Sequence, residues 1–165
     1  MSVEAKQAKQ VIIDEIKEKL DGAQSAVVID YMGTTVAQAD AMRKKLREAN
    51  VDYTVYKNTL IKRAIEGTEF APLADVLDGP SAIAISKEDA TAPARVLKEV
   101  IDEFKKMEFK AGVVEGTFFD QNGIREIANI PSRDVLIAKF MGSIQSPVSK
   151  AVRTFQAIAD AKAEA

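Results

Sequence analysis

The stretch "VYKNTLIKRA", residues 55–64, gathers Lys57, Lys62 and Arg63 around a helix start in a chain whose net charge is −2. Cationic side chains beside a helix N-terminus suit one chemistry, the binding of anions. The first N–H groups of a helix lack partners, and its dipole favours phosphate there. Charge is uneven along the chain. Residues 41–65 hold Arg43, Lys44, Lys45, Arg47, Lys57, Lys62 and Arg63 against Glu48 and Asp52, an excess of five positive charges, and the remainder is correspondingly acidic. Such asymmetry marks a binding face or an ordinary solvated surface.

A second loop of similar kind precedes it. "DYMGTT", residues 30–35, like "YKNT", 56–59, follows a predicted strand and leads into a predicted helix. If the two strands run parallel, both loops leave the same end of the sheet. Gly33 would let another backbone come close, and Lys57 and Asn58 would add charge and polar groups. The structural alternative is that Asn58 or Thr59 caps the helix, Gly33 turns the chain and the lysines are solvated.

Other chemistry is poorly provided for. The chain has no cysteine and no histidine, so thiolate sites and the commonest neutral-pH acid/base are absent. Sequence spacings for dinucleotide, Walker-type or nucleophile-elbow loops do not occur, nor do metal-ligand spacings, and neither a cofactor nor a metal is expected. Asp30 and Tyr31 at a strand end are the best that a small α/β enzyme or ligand-binding domain could use. A protein-binding scaffold whose basic face is merely solvated is the other alternative.

Elements that would position these loops can be read from periodicity. Residues 3–20 form an amphipathic helix with Ile12, Ile16 and Leu20 on one side. "SAVVIDY" (25–31) reads as a buried strand. Thr35 with Gln38 three residues on is a capping-box signature, opening a helix that buries Ala39, Met42, Leu46 and Ala49. "VDYTVY" (51–56) alternates as a half-buried strand, and the helix after it ends near Gly67. A brief helical turn follows Pro72. "SAIAIS" (81–86) and "EFKAGVVEG" (108–116) are the third and fourth strands, separated by a helix over 92–105. The expected fold class is α/β: an α+β two-layer plait, ferredoxin-like, with a four-stranded sheet and helices mainly on one face, followed by a C-terminal helical extension.

After residue 120 no further strand is predicted. Two short helices should flank Pro131, with Ser132 as a cap. Gly142 should interrupt the second, and a last helix should begin with Ser146 as N-cap and Pro147 at the first helical position. Val148, Val152, Phe155, Ile158 and Ala159 form its apolar stripe. This helix could fold back on its own domain or dock in a partner's groove. Its ~18 residues would span roughly 27 Å, room for two small helical partners. With a 47% hydrophobic composition a real core is possible. No apolar run approaches a membrane span, and "MSVEAKQAKQ" lacks the apolar stretch of a secretory signal, so a cytoplasmic location is expected.

Taken in order, "SAVVIDYMGTTV", "YTVYKNTLIKRAIEGT", "LDGPSAIAIS", "KAGVVEG" and "IPSRDVLIAKFMGSIQSPV" resemble the L-ten family of bacterial large-subunit ribosomal proteins, nearly end to end. The resemblance implies a ribosomal protein at the base of the lateral stalk, with no enzymatic activity and no small-molecule substrate. It implies an N-terminal α/β domain, 1–130, that binds large-subunit ribosomal RNA beside the neighbouring protein L-eleven. A C-terminal helical segment, 131–165, would carry dimers of the acidic stalk protein L-seven/L-twelve, which recruit translational GTPases; the resemblance does not set their number, and the short tail favours two over three. Some members also repress their own messenger. By the same resemblance the RNA-binding positions fall on Tyr31, Gly33 and Thr35 and on Lys57, Asn58 and Thr59, with Lys62 and Arg63 one turn on; Thr34 belongs to the same loop, and Arg43 is added for its charge. The resemblance places the stalk-binding helix from about Ser146 onward, and the candidate contacts on it are the apolar stripe Val148, Val152, Phe155, Ile158 and Ala159, with Ala151 beside it. Thr34 and Ile130 stand where the family usually has Leu.

Overall fold

The computed structural model describes residues 3–163; the side chains of 3–6, 8, 147, 148, 151 and 158–163 lie outside the described set. By its contacts the chain divides into two compact units, residues 1–130 and 131–165.

The first unit is built on one antiparallel sheet of five strands in the order β2-β3-β1-β4-β5. The strands are β1 (Ser25–Asp30), β2 (Val51–Thr54), β3 (Ala82–Ser86), β4 (Glu108–Val114) and β5 (Thr117–Asp120). Four were expected. The fifth returns from β4 through Glu115 and Gly116, both at positive φ (49° and 75°). Two central residues in that conformation make the tight turn whose twist matches a hairpin. Glu-Gly is a weak sequence cue for it, and four residues are too few to show a period.

Helices cover both faces of the sheet, where coverage mainly of one was expected. The helices are α1 (Val3–Leu20), α2 (Val36–Glu48), α3 (Asn58–Ile65), α4 (Ala92–Phe104) and α5 (Gln121–Ile127), with a 3-10 turn at Ala71–Asp75. Val27 and Ile29 of β1 point to one face and join Met42 and Leu46 of α2, Leu97 and Val100 of α4, and Ile124 and Ile127 of α5. Ala26 and Val28 point to the other and join Ile13, Ile16 and Leu20 of α1, Ile61 and Ile65 of α3, and Leu73 of the 3-10 turn. A strand buried on both sides has no polar alternation, which is why "AVVI" and "AIAI" read as continuous apolar runs. Gly112 of β4 is required by this packing. A Cβ there would sit 2.6 Å from Ile124 Cδ1, so that side chain would have to shift, and 3.1 Å from the Ala26 carbonyl oxygen, tighter than ordinary contact.

Both β1 and β2 pair antiparallel with β3, which lies between them. They therefore run in the same direction, and the chain leaves each at the same end of the sheet. The starts of β3 and β4 fall at that end too. Residues 31–35, 55–57 and 78–81 are thereby collected at one edge of the unit.

In the second unit a single helix, α6, runs from Arg133 to Ala163 over 31 residues, about 46 Å. It continues through Gly142, Ser146 and Pro147, so the expected break at Gly142 and the restart capped by Ser146 do not occur. One interior glycine costs only about 1 kcal/mol, and Gly142 is not among the residues at positive φ, so nothing in its backbone ends the helix. Ser132 stands just before α6 and accepts the Leu136 N–H at its main-chain oxygen, 3.0 Å away.

Candidate nucleic-acid interface

The edge defined by those loops carries a shallow groove of about 340 Å³, lined by Tyr31, Tyr56, Lys57, Asn58, Thr59 and the segment Gly79–Ser81, with Val55 at its side. Its walls are held by identifiable bonds. The Tyr56 hydroxyl donates to Glu15 at 2.9 Å, and Lys19 sits 5.8 Å from the centroid of the same ring. Burial, then the Glu15 bond, raises the Tyr56 phenol above its usual pKa, so it stays neutral. Lys19 also pairs with Asp52 at 2.9 Å. Helix α1 thus braces the chain as it leaves β2.

Helix α3 starts differently from expectation. Lys57 occupies the N-cap position and makes no side-chain cap. Asn58 does not cap either; its amide donates to the Gly79 carbonyl oxygen at 2.7 Å. Among the described residues no side chain caps the start of α3, and Lys57, Asn58 and Thr59 of that start line the groove. That is the arrangement an anionic oxygen fits. Lys57 is exposed and has no ion-pair partner among the described residues.

Helix α2 is the counter-example. The Thr35 hydroxyl accepts from Gln38 N, and the Gln38 side chain accepts from Thr35 N at 3.0 Å, the capping box expected from the sequence. Its start is closed by its own side chains. The preceding turn is tied as well: Asp30 accepts the Met32 N–H at 2.8 Å, and the Thr34 hydroxyl donates to the Tyr31 carbonyl at 2.9 Å. Asp30 is therefore occupied in shaping a turn. Gly33 has φ +83° with open space around the position of a Cβ, so the turn presents bare backbone, flanked by Met32 and Val36, which are 63% and 78% exposed.

The structure brings together Tyr31, Lys57, Asn58 and Thr59 in one groove, with Gly33, Thr34 and Thr35 in the loop that continues from Tyr31. Lys62 lies one turn into α3 and pairs with Asp78 at 3.4 Å. Arg63 is exposed on α3. Arg43 is not part of this groove. It pairs with Asp40 at 3.4 Å and, with Arg47, lines a separate groove of about 750 Å³ against Tyr53, Lys87 and Glu88. Burial pushes the Tyr53 phenol up to about 12 despite the nearby Arg43 charge, so the second groove presents a neutral phenol. Residues missed by sequence reasoning are Tyr56, Gly79, Pro80 and Ser81, together with Lys110, whose ammonium donates to the Pro80 carbonyl at 2.7 Å. Nothing local places the "DGP" stretch, 78–80, against Asn58.

On α6 the described apolar side chains are exposed, among them Leu136, Phe140, Ile144, Val152 and Phe155. The side chains of Val148, Ala151, Ile158 and Ala159 lie outside the described residues. Within its own unit the helix has no second element to receive that apolar side.

Comparison with known proteins gives this arrangement its family. A family model described as "Ribosomal protein L10" matches residues 4–102, and one described as "Ribosomal protein uL10 C-terminal region" matches residues 130–165. The chain belongs to the ribosomal protein L10 family. The "Large ribosomal subunit protein uL10" of Clostridioides difficile is 49% identical over 92% of this chain and 90% of its own. That of Bacillus cereus is 42% identical over 96% of this chain and 95% of its own, and the Bacillus anthracis protein of the same name matches equally. Membership makes the chain a structural ribosomal protein and not an enzyme, working in the ribosome in the cytoplasm. Among the described residues no helix is long and apolar enough to cross a membrane.

Proposed function

We propose that the chain is a two-ended adaptor at the base of the large-subunit stalk. One end, the edge of the first unit, holds ribosomal RNA. The other, α6, carries dimers of the acidic stalk protein L-seven/L-twelve, with protein L-eleven as the neighbour at the RNA. The observation that carries the RNA half is the start of α3: among the described residues no side chain caps its N–H groups and Lys57 has no ion-pair partner, and it lies in a groove shared with two tyrosines. Backbone amides and lysine suit phosphate, and the aromatic rings suit bases or riboses of folded RNA. The acidic remainder of the chain disfavours nonspecific contact with RNA.

For the other end, the support is an exposed apolar side on a 31-residue helix. An amphipathic helix that is the one described element of its unit suits helix-in-groove docking. Two assays on one pair of proteins test both halves. Truncation after Gly142 is expected to abolish capture of the acidic dimers and leave affinity for a stalk-base RNA fragment unchanged. Capture that survives the truncation contradicts the tail assignment, and RNA binding lost with it contradicts the division of labour.

A further inference from the structure

The wall of the groove opposite α3 is the segment 78–81, and the side chain that holds it comes from an irregularity in β4. Ala111 pairs with Val28 and Phe109 with Ile29, so Lys110 has no counterpart in β1. Phe109 packs with the α2, α4 and α5 layer, while Ala111 packs with α1 and α3. Residues two apart in a regular strand share a face. A one-residue bulge at Lys110 accounts for both the register and the change of face, and bulges re-aim the side chain they carry.

The re-aimed Lys110 ammonium donates to three acceptors: the Asp78 carbonyl, the Pro80 carbonyl at 2.7 Å and the Ser81 hydroxyl at 3.0 Å. An ammonium has three donors, so none remains for a phosphate. From the other side Asn58 holds the Gly79 carbonyl and Lys62 pairs with the Asp78 carboxylate. Gly79 itself is at φ +67°. The turn is thereby fixed against the start of α3 from both sides.

We propose that Lys110 is a positioning residue for RNA recognition: the bulge delivers its charge to the segment 78–81, which sets the width of the groove. This rests on the reading of that groove as the RNA site. Ordering a binding loop in advance removes an entropic cost from association, and the net cationic charge at the edge is unchanged by where Lys110 points.

The test is a salt series of binding to the stalk-base RNA fragment, with thermal melts alongside, for the full chain and for Lys110→Met, Lys110→Gln and Lys57→Met. Lys110→Met is expected to lower affinity about tenfold while leaving the slope of log affinity against log salt unchanged, because no phosphate contact is lost. Lys110→Gln, which keeps a polar donor, is expected to fall between it and the parent. Lys57→Met should reduce the slope by about one unit. Unchanged affinity in a folded Lys110→Met protein would reduce Lys110 to a purely structural role and overturn the proposal. A slope that falls by about one unit for Lys110→Met would make it a phosphate contact and overturn it too. If Lys57→Met changes neither affinity nor slope, the RNA reading itself fails and the proposal with it.

Discussion

The Asn58 side-chain amide donates to the Gly79 carbonyl oxygen at 2.7 Å, joining the first residue of α3 to a segment 21 positions along the chain. This one bond does two things. It closes the groove from the α3 side, and it ties the first turn of α3 to the segment 78–81.

Asn58→Ala is expected to lower stability by about 1 kcal/mol, the usual net worth of a hydrogen bond. RNA affinity should fall with it. Asn58→Asp should cost more than alanine, since it sets a carboxylate against a carbonyl oxygen. Urea denaturation of the three proteins orders them. An alanine variant as stable as the parent would mean that the bond contributes nothing.

A pH effect follows from the entry to α4. Burial alone would raise the Asp89 carboxyl, but the Thr91 N–H and hydroxyl and the Arg95 guanidinium more than offset it, holding it below the usual carboxylate range. A carboxyl with a depressed folded pKa contributes stability that is complete above its unfolded pKa and is lost as pH falls through the folded one. Asp89→Asn should therefore cost about 1 kcal/mol at pH 7 and flatten the fall in stability below about pH 4. Denaturation midpoints between pH 7 and pH 3 measure this; parallel curves for the two proteins would contradict it.

Helix α6 passes through Gly142, which has open space at the position of a Cβ. Gly142→Ala should raise the helix stability by about 1 kcal/mol and leave dimer capture intact. Far-UV circular dichroism of the full chain during heating reads this. Lower helicity in the alanine variant would show that the glycine is needed in a non-helical conformation.

Much of the frame was legible locally. The period of "VIIDEIKEKL" marks α1, and Thr35 with Gln38 marks the start of α2, because the determining contacts lie within four residues. The double-sided burial of β1 and β3 was also written in their unbroken apolar runs, although that signal is easily taken for a sheet covered on one side. What escaped depends on distant partners. Asn58 is a good cap in isolation, and only the fold supplies Gly79. Lys110 reads as one polar residue in a strand, and only the register against β1 reveals the bulge. Arg43 belongs by sequence to the same basic segment as Lys57, yet the direction of α2 carries it to a different groove.

The most direct measurement of the central claim is the affinity of the full chain for a stalk-base RNA fragment, across a salt series, for the parent, for Lys57→Glu combined with Lys62→Glu, and for Arg43→Glu. If the groove at the start of α3 holds the RNA, the double variant should lose at least a hundredfold in affinity and show a flatter salt dependence, while Arg43→Glu should change affinity only by the few-fold of a distant charge. A double variant that binds as tightly as the parent, or an Arg43→Glu protein that loses as much, would place the RNA elsewhere.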